Sequence, residues 1–334
     1  MKSFLKRLSI FILIPFVTML AGYFYFDPFK VVYKYEDYGN SNVVLCRDYV
    51  SSQYYLDHKE TYQYDSFIFG SSRTIGFKAS AWKKYLDKKA SVYTFDASAE
   101  SIYGIHSKLK YIDRHNVKIK NVLIILCRDW MAVDKNIDYG HIFQKHPEFC
   151  EKNWAIFHGA MFKAYLDIKF LFAFYKFQFS GVYTPSMKNY LTNEPFLIAS
   201  KTNEIIPLAV NPKYRNNMKQ FVIDNDSIFY DRMGCKIDSI DRLNENNIVM
   251  LREIKQILER RKVNYKIVAS PLYDQIRFSK KDKSVLNALF STNFYDYTGK
   301  NKYTNNKKNY YEASHFRPNV GVSIFKEIYH SNPK

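Results

Sequence analysis

The chain has 334 residues, of which 47% are hydrophobic and 18% aromatic, a composition that excludes a disordered protein and is sufficient for a full hydrophobic core. Its formal net charge of +18 is typical of proteins that bind nucleic acid, anionic lipid or an anionic glycan. The first predicted element of the chain helps to choose among these three classes of partner.

An uncharged apolar stretch near the N-terminus is long enough to cross a bilayer. Residues 8–26 carry no charge, and at about 1.5 Å per residue a helix of this length spans the hydrocarbon core. Basic side chains precede it, so the positive-inside rule places residues 1–7 in the cytoplasm and the rest of the chain outside. A cleaved signal peptide is the alternative, although the end of the stretch has no clear small-x-small cleavage site. Either interpretation exports the body of the chain to the periplasm or cell surface. We therefore expect the membrane, and no nucleic acid, as a partner.

Alternating strands and helices follow a polar, tyrosine-rich stretch. Residues 27–62 are interpreted as a linker that leads into a domain covering residues 63–334. The predicted strands of this domain are residues 66–69, 92–95, 122–126, 265–269 and 293–297. The predicted helices are residues 79–86, 102–115, 247–261, 284–290 and 320–329. This order predicts an α/β fold with a doubly wound, mostly parallel five-stranded sheet and flavodoxin-like topology.

The middle of the domain interrupts the alternation. Residues 130–240 are rich in aromatic side chains and are predicted to form a helical insertion. Within them, residues 155–179 are apolar, but charged residues recur too often for a second membrane span. Two interpretations are open: a helix packed over the sheet edge, or an interfacial helix that lies on the membrane with its lysines among the lipid head groups.

Metal and cofactor motifs are missing from the sequence. His141, His146, Glu148 and Cys150 are residue types that bind metals, but their spacing matches no zinc or calcium pattern. No glycine-rich nucleotide-binding motif is present, so we predict neither a metal nor a cofactor. No two cysteines have a C-x-x-C spacing, and both disulfides and free buried thiols are open for the four of them: Cys46, Cys127, Cys150 and Cys235.

Two segments far apart in sequence supply a hydroxyl, an imidazole and a carboxylate. The first predicted strand runs into Gly70-Ser71-Ser72-Arg73, at the carboxyl end where reactive groups gather in α/β sheets. Near the other end of the chain, Glu312 precedes His315 by three residues, so its carboxylate can accept from one ring nitrogen while the other faces a serine. Alone, the first segment is more typical of a helix cap and the histidine of a cap or surface residue. Together they predict a serine nucleophile, a base and an orienting acid.

The two segments and their surroundings resemble the SGNH, or GDSL-like, hydrolase superfamily over residues 64–329, apart from the insertion. The resemblance implies that Ser72 is the nucleophile, His315 the base and Glu312 the acid. It also implies an oxyanion hole that uses the backbone of Ser72 and of Gly104, which follows the second predicted strand.

The chain departs from the family's sequence motifs at three places. The first motif, or block, is Gly-Asp-Ser-x, and Ser71 replaces its aspartate. The last block is Asp-x-x-His, and Glu312 replaces its aspartate. The third block, Gly-x-Asn-Asp in hydrolases, is replaced by residues 126–130, Leu-Cys-Arg-Asp-Trp, which contain no asparagine. A missing oxyanion donor of this kind costs about 3 kcal/mol of transition-state stabilisation.

A Gly-Ser-Ser-Arg block, a single anchor and a basic exported domain are similar to SGNH-like proteins of cell-envelope glycan modification, including the alginate O-acetyltransferase and D-alanyl teichoic acid transfer groups. This resemblance implies a membrane-anchored serine esterase or O-acyltransferase that acts on an envelope polysaccharide through an acyl-Ser72 intermediate. Arg73, Arg128 and Asp129 are candidates for binding an anionic substrate group. The alternative is a non-catalytic SGNH-fold protein that binds a glycan or assists a membrane-bound acyltransferase, and the missing asparagine favours it.

Overall fold

A five-stranded parallel sheet forms the centre of the protein. The computed structural model describes residues 2–329 except 138, 194, 207–219, 221–222, 225–226, 228, 233 and 235. The strands of the sheet are β1 (Ser66–Ser71), β2 (Val92–Ala97), β3 (Asn121–Leu126), β4 (Asn264–Ala269) and β5 (Phe294–Asp296). They are arranged in the order β2-β1-β3-β4-β5 and every pair is parallel, which confirms the predicted α/β sheet. The order 2-1-3-4-5 is a common doubly wound topology.

Helices surround the sheet and extend from it. In chain order they are α1 (Lys2–Phe26), α2 (Arg47–Tyr62), α3 (Ala79–Trp82), α4 (Ile102–Arg114), α5 (Pro147–Cys150), α6 (Trp154–Tyr165), α7 (Ile168–Ser180), α8 (Glu245–Arg260), α9 (Lys280–Phe290) and α10 (Pro318–Ile328). Three short two-stranded ladders lie outside the central sheet: Leu197–Ile198 with Ile205–Ile206, Lys236–Ile237 with Ile276–Arg277, and Tyr310–Glu312 with His315–Phe316.

The core consists of two apolar layers, one on each face of the sheet. Phe67 and Phe69 of β1 point to the layer that contains α2, α4, α8 and α9. Ile68, between them, points to the layer that contains α3 and α10. Successive side chains of a strand point to opposite faces, so burial of both faces requires the unbroken apolar runs seen in the sequence.

The N-terminal helix and the insertion form a third apolar cluster. By length and composition α1 could cross a membrane, a test that a signal sequence also passes. Its C-terminal half packs on α6 and α7, with ring centroids 5.4 Å apart for Tyr23 and Tyr165 and 5.7 Å apart for Phe26 and Phe174. This cluster contains no residue of the central sheet, so the predicted helix 155–179 does not take the sheet-edge position. It is instead two helices, separated where the Asp167 carboxylate caps the start of α7.

The tyrosine-rich segment 27–62 is ordered by the domain that follows it. Its second half is α2, which buries Val50, Tyr54 and Tyr55 in the first apolar layer. At its start, the Asp27 carboxylate accepts from the backbone amides of residues 31–33. This stretch reads as polar in sequence because tyrosine carries a hydroxyl, but the rings themselves provide the buried surface.

Candidate active site

Ser72 lies at the point where the chain leaves β1. Ser71 is the last strand residue and is buried, and its Oγ accepts from the Arg73 amide at 3.4 Å. Ser72 begins a 3₁₀ turn, Ser72–Gly76, and lines an open cavity. Gly70 is required just before it, because a Cβ there would lie 2.9 Å from the Ile125 Cβ on β3. The chain after β1 turns towards one face of the sheet and the chain after β3 leads to helices on the other, which makes this edge the switch point of the fold.

The structure brings Ser72, His315 and Glu312 together. The His315 Nε2 atom lies 2.7 Å from the Ser72 Oγ, although the two residues are 243 positions apart. The His315 Nδ1 atom contacts the Glu312 Oε1, and the other carboxylate oxygen of Glu312 accepts from the Ser314 amide at 2.6 Å. Residues 310–312 and 315–316 form a tight antiparallel hairpin, and this turn lets the longer glutamate side chain curl back onto the imidazole.

The electrostatics of the hairpin favour a serine-activating arrangement. Burial would raise the pKa of Glu312, but hydrogen bonds from His315 and the Ser314 amide outweigh it and hold that pKa below its usual value. An ionised Glu312 favours the tautomer that carries its proton on Nδ1 of His315. The Nε2 atom then accepts the Ser72 hydroxyl proton, which is the geometry of a general base.

Arg73 fixes the histidine hairpin to the sheet. Its Nε donates to the Ser314 carbonyl at 3.2 Å, and its Nη2 lies 3.0 Å from the Asp129 carboxylate. A third contact joins the guanidinium to the Cys127 sulfur. The side chain is buried and does not line the cavity, so the structure gives it a positioning role, and its proposed contact with an anionic substrate stays a prediction.

Arg128 and Asp129 also form ion pairs within the chain. The buried Arg128 guanidinium pairs with Asp274 and donates to the Ile276 carbonyl at 2.9 Å. The Asp129 carboxylate pairs with the guanidinium groups of both Arg73 and Arg128. Neither side chain lines the cavity. The sequence places these residues beside the strand ends correctly but does not reveal that their charges neutralise one another.

Gly104 lies in α4, away from the cavity lining. Its amide donates to the Ser101 Oγ at 3.3 Å as part of a helix N-cap. A Cβ at this position would lie 2.0 Å from the Glu100 Oε1 and 2.7 Å from the Lys145 Nζ. The glycine therefore makes room for a buried ion cluster, and the oxyanion role that the resemblance implies has no geometric support here.

That buried cluster, which we call the charge quartet, consists of Asp48, Glu100, Lys108 and Lys145. The Asp48 carboxylate lies 2.8 Å from the Lys108 Nζ and 3.1 Å from the Lys145 Nζ, and both lysines also contact Glu100. Burial opposes ionisation of Asp48, but the two lysines overcome it and hold its pKa well below the usual range. The quartet is neutral overall and joins α2, α4 and the start of the insertion.

A cavity of about 590 Å³ opens beside the serine and histidine. Its lining includes Ser98, which directly follows β2, and the pair Arg47 and Asp96. The Arg47 guanidinium holds the Asp96 carboxylate through two hydrogen bonds of 2.7 Å each. Sequence analysis missed these three residues. Only their position in the sequence could have indicated a role in the site, because Asp96 and Ser98 lie at the carboxyl end of a predicted strand, where the site residues of α/β folds gather.

The insertion builds much of the cavity wall. Val43 bridges to Leu191, and both line the cavity. Residues 197–206 form a short hairpin that contributes Ile198 and Ile205 to the lining. The same hairpin runs along the outer edge of β2, where the Thr94 amide donates to the Thr202 carbonyl at 2.9 Å.

The other residues considered for metal or disulfide chemistry have separate protein contacts. The His141 Nε2 lies 2.8 Å from the Val44 carbonyl oxygen, and the His146 Nε2 lies 3.1 Å from the Gln53 side-chain oxygen. Within the part of the chain that the structure describes, no group of three or more His, Cys, Asp or Glu side chains is arranged to hold a metal ion. Three thiols are free, and Cys235 falls outside the described residues; the free ones are Cys46, Cys127 and Cys150.

Comparison of the sequence with models of known protein families gives no match. Comparison with curated proteins also gives no match. The function is therefore argued from the site itself.

Proposed function

We propose that the protein is a membrane-anchored, extracytoplasmic SGNH-like serine esterase or O-acyltransferase that acts on a cell-envelope polysaccharide. The observation that carries this proposal is the 2.7 Å contact between the Ser72 Oγ and the His315 Nε2, with Glu312 on the other ring nitrogen. A hydroxyl, a base and an acid that holds the base form the activated-nucleophile arrangement used in acyl transfer.

The chemistry proceeds in two displacements. His315 accepts the Ser72 proton while the hydroxyl oxygen attacks the carbonyl carbon of a donor ester, and a tetrahedral oxyanion forms. The ester C–O bond then breaks, and His315 returns the proton to the leaving oxygen, so that an acyl-Ser72 ester remains. In the second displacement His315 deprotonates a sugar hydroxyl or water, which attacks the acyl group and releases Ser72.

The oxyanion requires amide or hydroxyl donors close to Ser72. We assign one to the Ser72 backbone amide and place the other in the loop after β2, because Ser98 lines the cavity and Gly104 does not.

The membrane location rests on α1 and on the helices packed against it. The apolar surface of α1 is exposed along its N-terminal half. The α6–α7 hairpin, residues 154–180, exposes Phe172 at 74% and Phe179 at 83%, while Lys169 and Lys176 are also exposed. Exposed aromatic side chains and lysines beside an anchor support an interfacial hairpin. The net charge of +18 supports an anionic polymer or membrane surface as the partner.

A non-catalytic role is the second candidate. It is favoured by the third block, where Cys127 and Asp129 contact Arg73 in place of an oxyanion donor. Such a protein would hold a glycan, or assist a membrane-bound acyltransferase, without forming an acyl-Ser72 ester.

Labelling with a fluorophosphonate probe separates the two candidates. The full-length enzyme should be labelled, and the label should disappear in Ser72→Ala and in His315→Ala while persisting in the matched control Ser71→Ala. Labelling that survives Ser72→Ala would place the nucleophile elsewhere, and an unlabelled wild-type protein would favour the non-catalytic role. Protease added to intact spheroplasts should digest the domain if it is extracytoplasmic, and protection of the domain would contradict that location.

A further inference from the structure

The cavity beside Ser72 is apolar over most of its wall. Ser72, His315 and Glu312 lie at one part of the lining. Aliphatic side chains make up much of the remainder, including Val43, Leu45, Val50, Ile75, Leu191 and Ile198. Arg47 and Asp96 form a bidentate pair in the wall, so together they present little net charge to a ligand. Lys188 also belongs to the lining, and it is exposed to solvent.

The cavity is larger than a small acyl group requires. Its volume of about 590 Å³ falls in the range of roughly 300–1,000 Å³ that holds drug-sized ligands. An acetyl group has a single methyl beyond the carbonyl and would leave nearly all of this apolar surface uncovered. An aliphatic chain would remove that surface from water, and this burial is the main favourable term in apolar binding.

The wall also shares residues with the apolar cluster at the base of α1. Val43 and Leu191 line the cavity and belong to the cluster that joins α1 to the α6–α7 hairpin. The cavity is therefore built onto the part of the domain next to the proposed membrane anchor, where a donor with a lipid-like chain would be concentrated.

We propose that this cavity binds the aliphatic chain of the donor ester, so that the group transferred to Ser72 is a medium or long fatty acyl group. The inference rests on the proposed function of Ser72 as nucleophile. In the step itself, the bond between the Ser72 Oγ and the acyl carbon forms and the donor C–O bond breaks. The serine proton passes through His315 to the leaving oxygen, while the chain stays in the cavity.

The test uses the full-length protein in lipid nanodiscs with p-nitrophenyl esters of acetate, butyrate, octanoate and dodecanoate. Acylation of Ser72 is followed by the p-nitrophenol burst and by intact mass. The rate constant at low ester concentration should rise roughly fourfold per added methylene until the cavity is filled, because each buried methylene contributes that factor. Ile198→Trp and Ile205→Trp, at half-buried positions of the lining, should remove this gain, so that the ratio of the dodecanoate rate to the acetate rate falls towards one. Val249→Trp, at an exposed position outside the lining, is the matched control and should leave this ratio at the wild-type value.

The outcomes separate the two proposals. Acylation that is fastest with acetate, or a chain-length profile that neither cavity variant changes, overturns the fatty acyl inference and leaves the serine chemistry standing. Failure of every ester to acylate Ser72, acetate included, overturns the proposed function and the inference with it.

Discussion

The Arg73 Nε donates to the carbonyl oxygen of Ser314 at 3.2 Å, so the residue after Ser72 holds the residue before His315. The strand end and the C-terminal hairpin are thereby fixed to each other by a buried cation. The distance between Ser72 and His315 therefore depends on this contact between Arg73 and Ser314, which we call the brace, as well as on their own hydrogen bond.

The brace predicts that Arg73→Ala lowers kcat far more than it raises KM. Loss of the guanidinium frees the hairpin, and a misplacement of about 1 Å between reacting groups costs on the order of 10²-fold in rate. Steady-state hydrolysis of a p-nitrophenyl ester measures both constants. Arg73→Lys should recover part of kcat, because an ammonium can reach one partner but not the full set.

The control for this prediction is Arg260→Ala, which removes an exposed arginine paired with Asp113 far from the cavity lining. It should leave both constants unchanged. A rise in KM without a fall in kcat for Arg73→Ala would indicate substrate binding by this arginine and contradict the positioning role.

Glu312→Gln should lower kcat by up to about 10⁴-fold, because an amide no longer selects the productive histidine tautomer. Glu312→Asp should retain much more activity, since the carboxylate is kept and only its reach changes. Fluorophosphonate labelling rates provide a second readout that does not depend on product release. Equal activity of the Gln and Asp variants would show that the carboxylate charge plays no part.

The lowered pKa of Glu312 also predicts a dependence of stability on pH. The folded-state pKa lies below the ordinary glutamate pKa of 4.5, so the stabilisation by the ionised carboxylate is present above pH 4.5. This contribution should be lost as the pH falls through the folded-state pKa. The Tm difference between wild type and Glu312→Gln should therefore shrink as the pH is lowered from 5 towards 3. A difference that grows below pH 4.5 would reverse the assigned direction of the shift.

Removal of one member of the charge quartet should lower the free energy of unfolding substantially. Lys108→Met removes one of two buried cations and leaves Asp48 and Glu100 under-neutralised, which we expect to destabilise the protein by about 3–5 kcal/mol. Denaturant unfolding of the full chain in a mild detergent measures this change. The exposed pair of Arg114 and Glu151 is the control, and Arg114→Ala should cost only about 0–1 kcal/mol. Similar losses for the two variants would contradict a structural role for the quartet.

The interfacial hairpin predicts contact of α7 with lipid. Tryptophan placed at Phe172 or Phe179 should be quenched by lipids brominated along their acyl chains, because both side chains are exposed on α7, the helix that packs against α1. Phe172→Trp and Phe179→Trp are compared in proteoliposomes with Val249→Trp, on an exposed face of α8. Quenching of the control to the same extent would exclude a specific membrane contact of the hairpin.

The sheet was predictable because its strands are buried on both faces. Each predicted strand matches an observed one to within two residues at either end, and residues 122–126 of β3 are an unbroken apolar run. The helix α2 was not predicted, because its buried residues are tyrosines, serines, an aspartate and one valine, which form no aliphatic periodicity. The break between α6 and α7 was also missed, although Asp167 is a typical N-cap residue.

The site was predictable where the chemistry depends on residue type and spacing, and less so where it depends on partners distant in sequence. Ser72 was named from its position at the end of a predicted strand, and Glu312 and His315 from their three-residue spacing, and the structure brings the three together. The inward direction of Arg73 depends on Asp129 and Ser314, and sequence does not show that these meet. The cavity arises from residues 41–50 and 183–205, which come together only in the fold.

The hairpin of residues 197–206 contributes to the cavity wall. It also covers the outer edge of β2, where the Thr202 carbonyl accepts from a β2 amide. An uncovered edge strand is a template for pairing between molecules. Under the proposed function, the hairpin would therefore couple the choice of ligand to solubility. Substitutions that reshape the hairpin to admit a different substrate will be tolerated only when they keep the edge shielded, which restricts the routes by which its specificity can be redesigned.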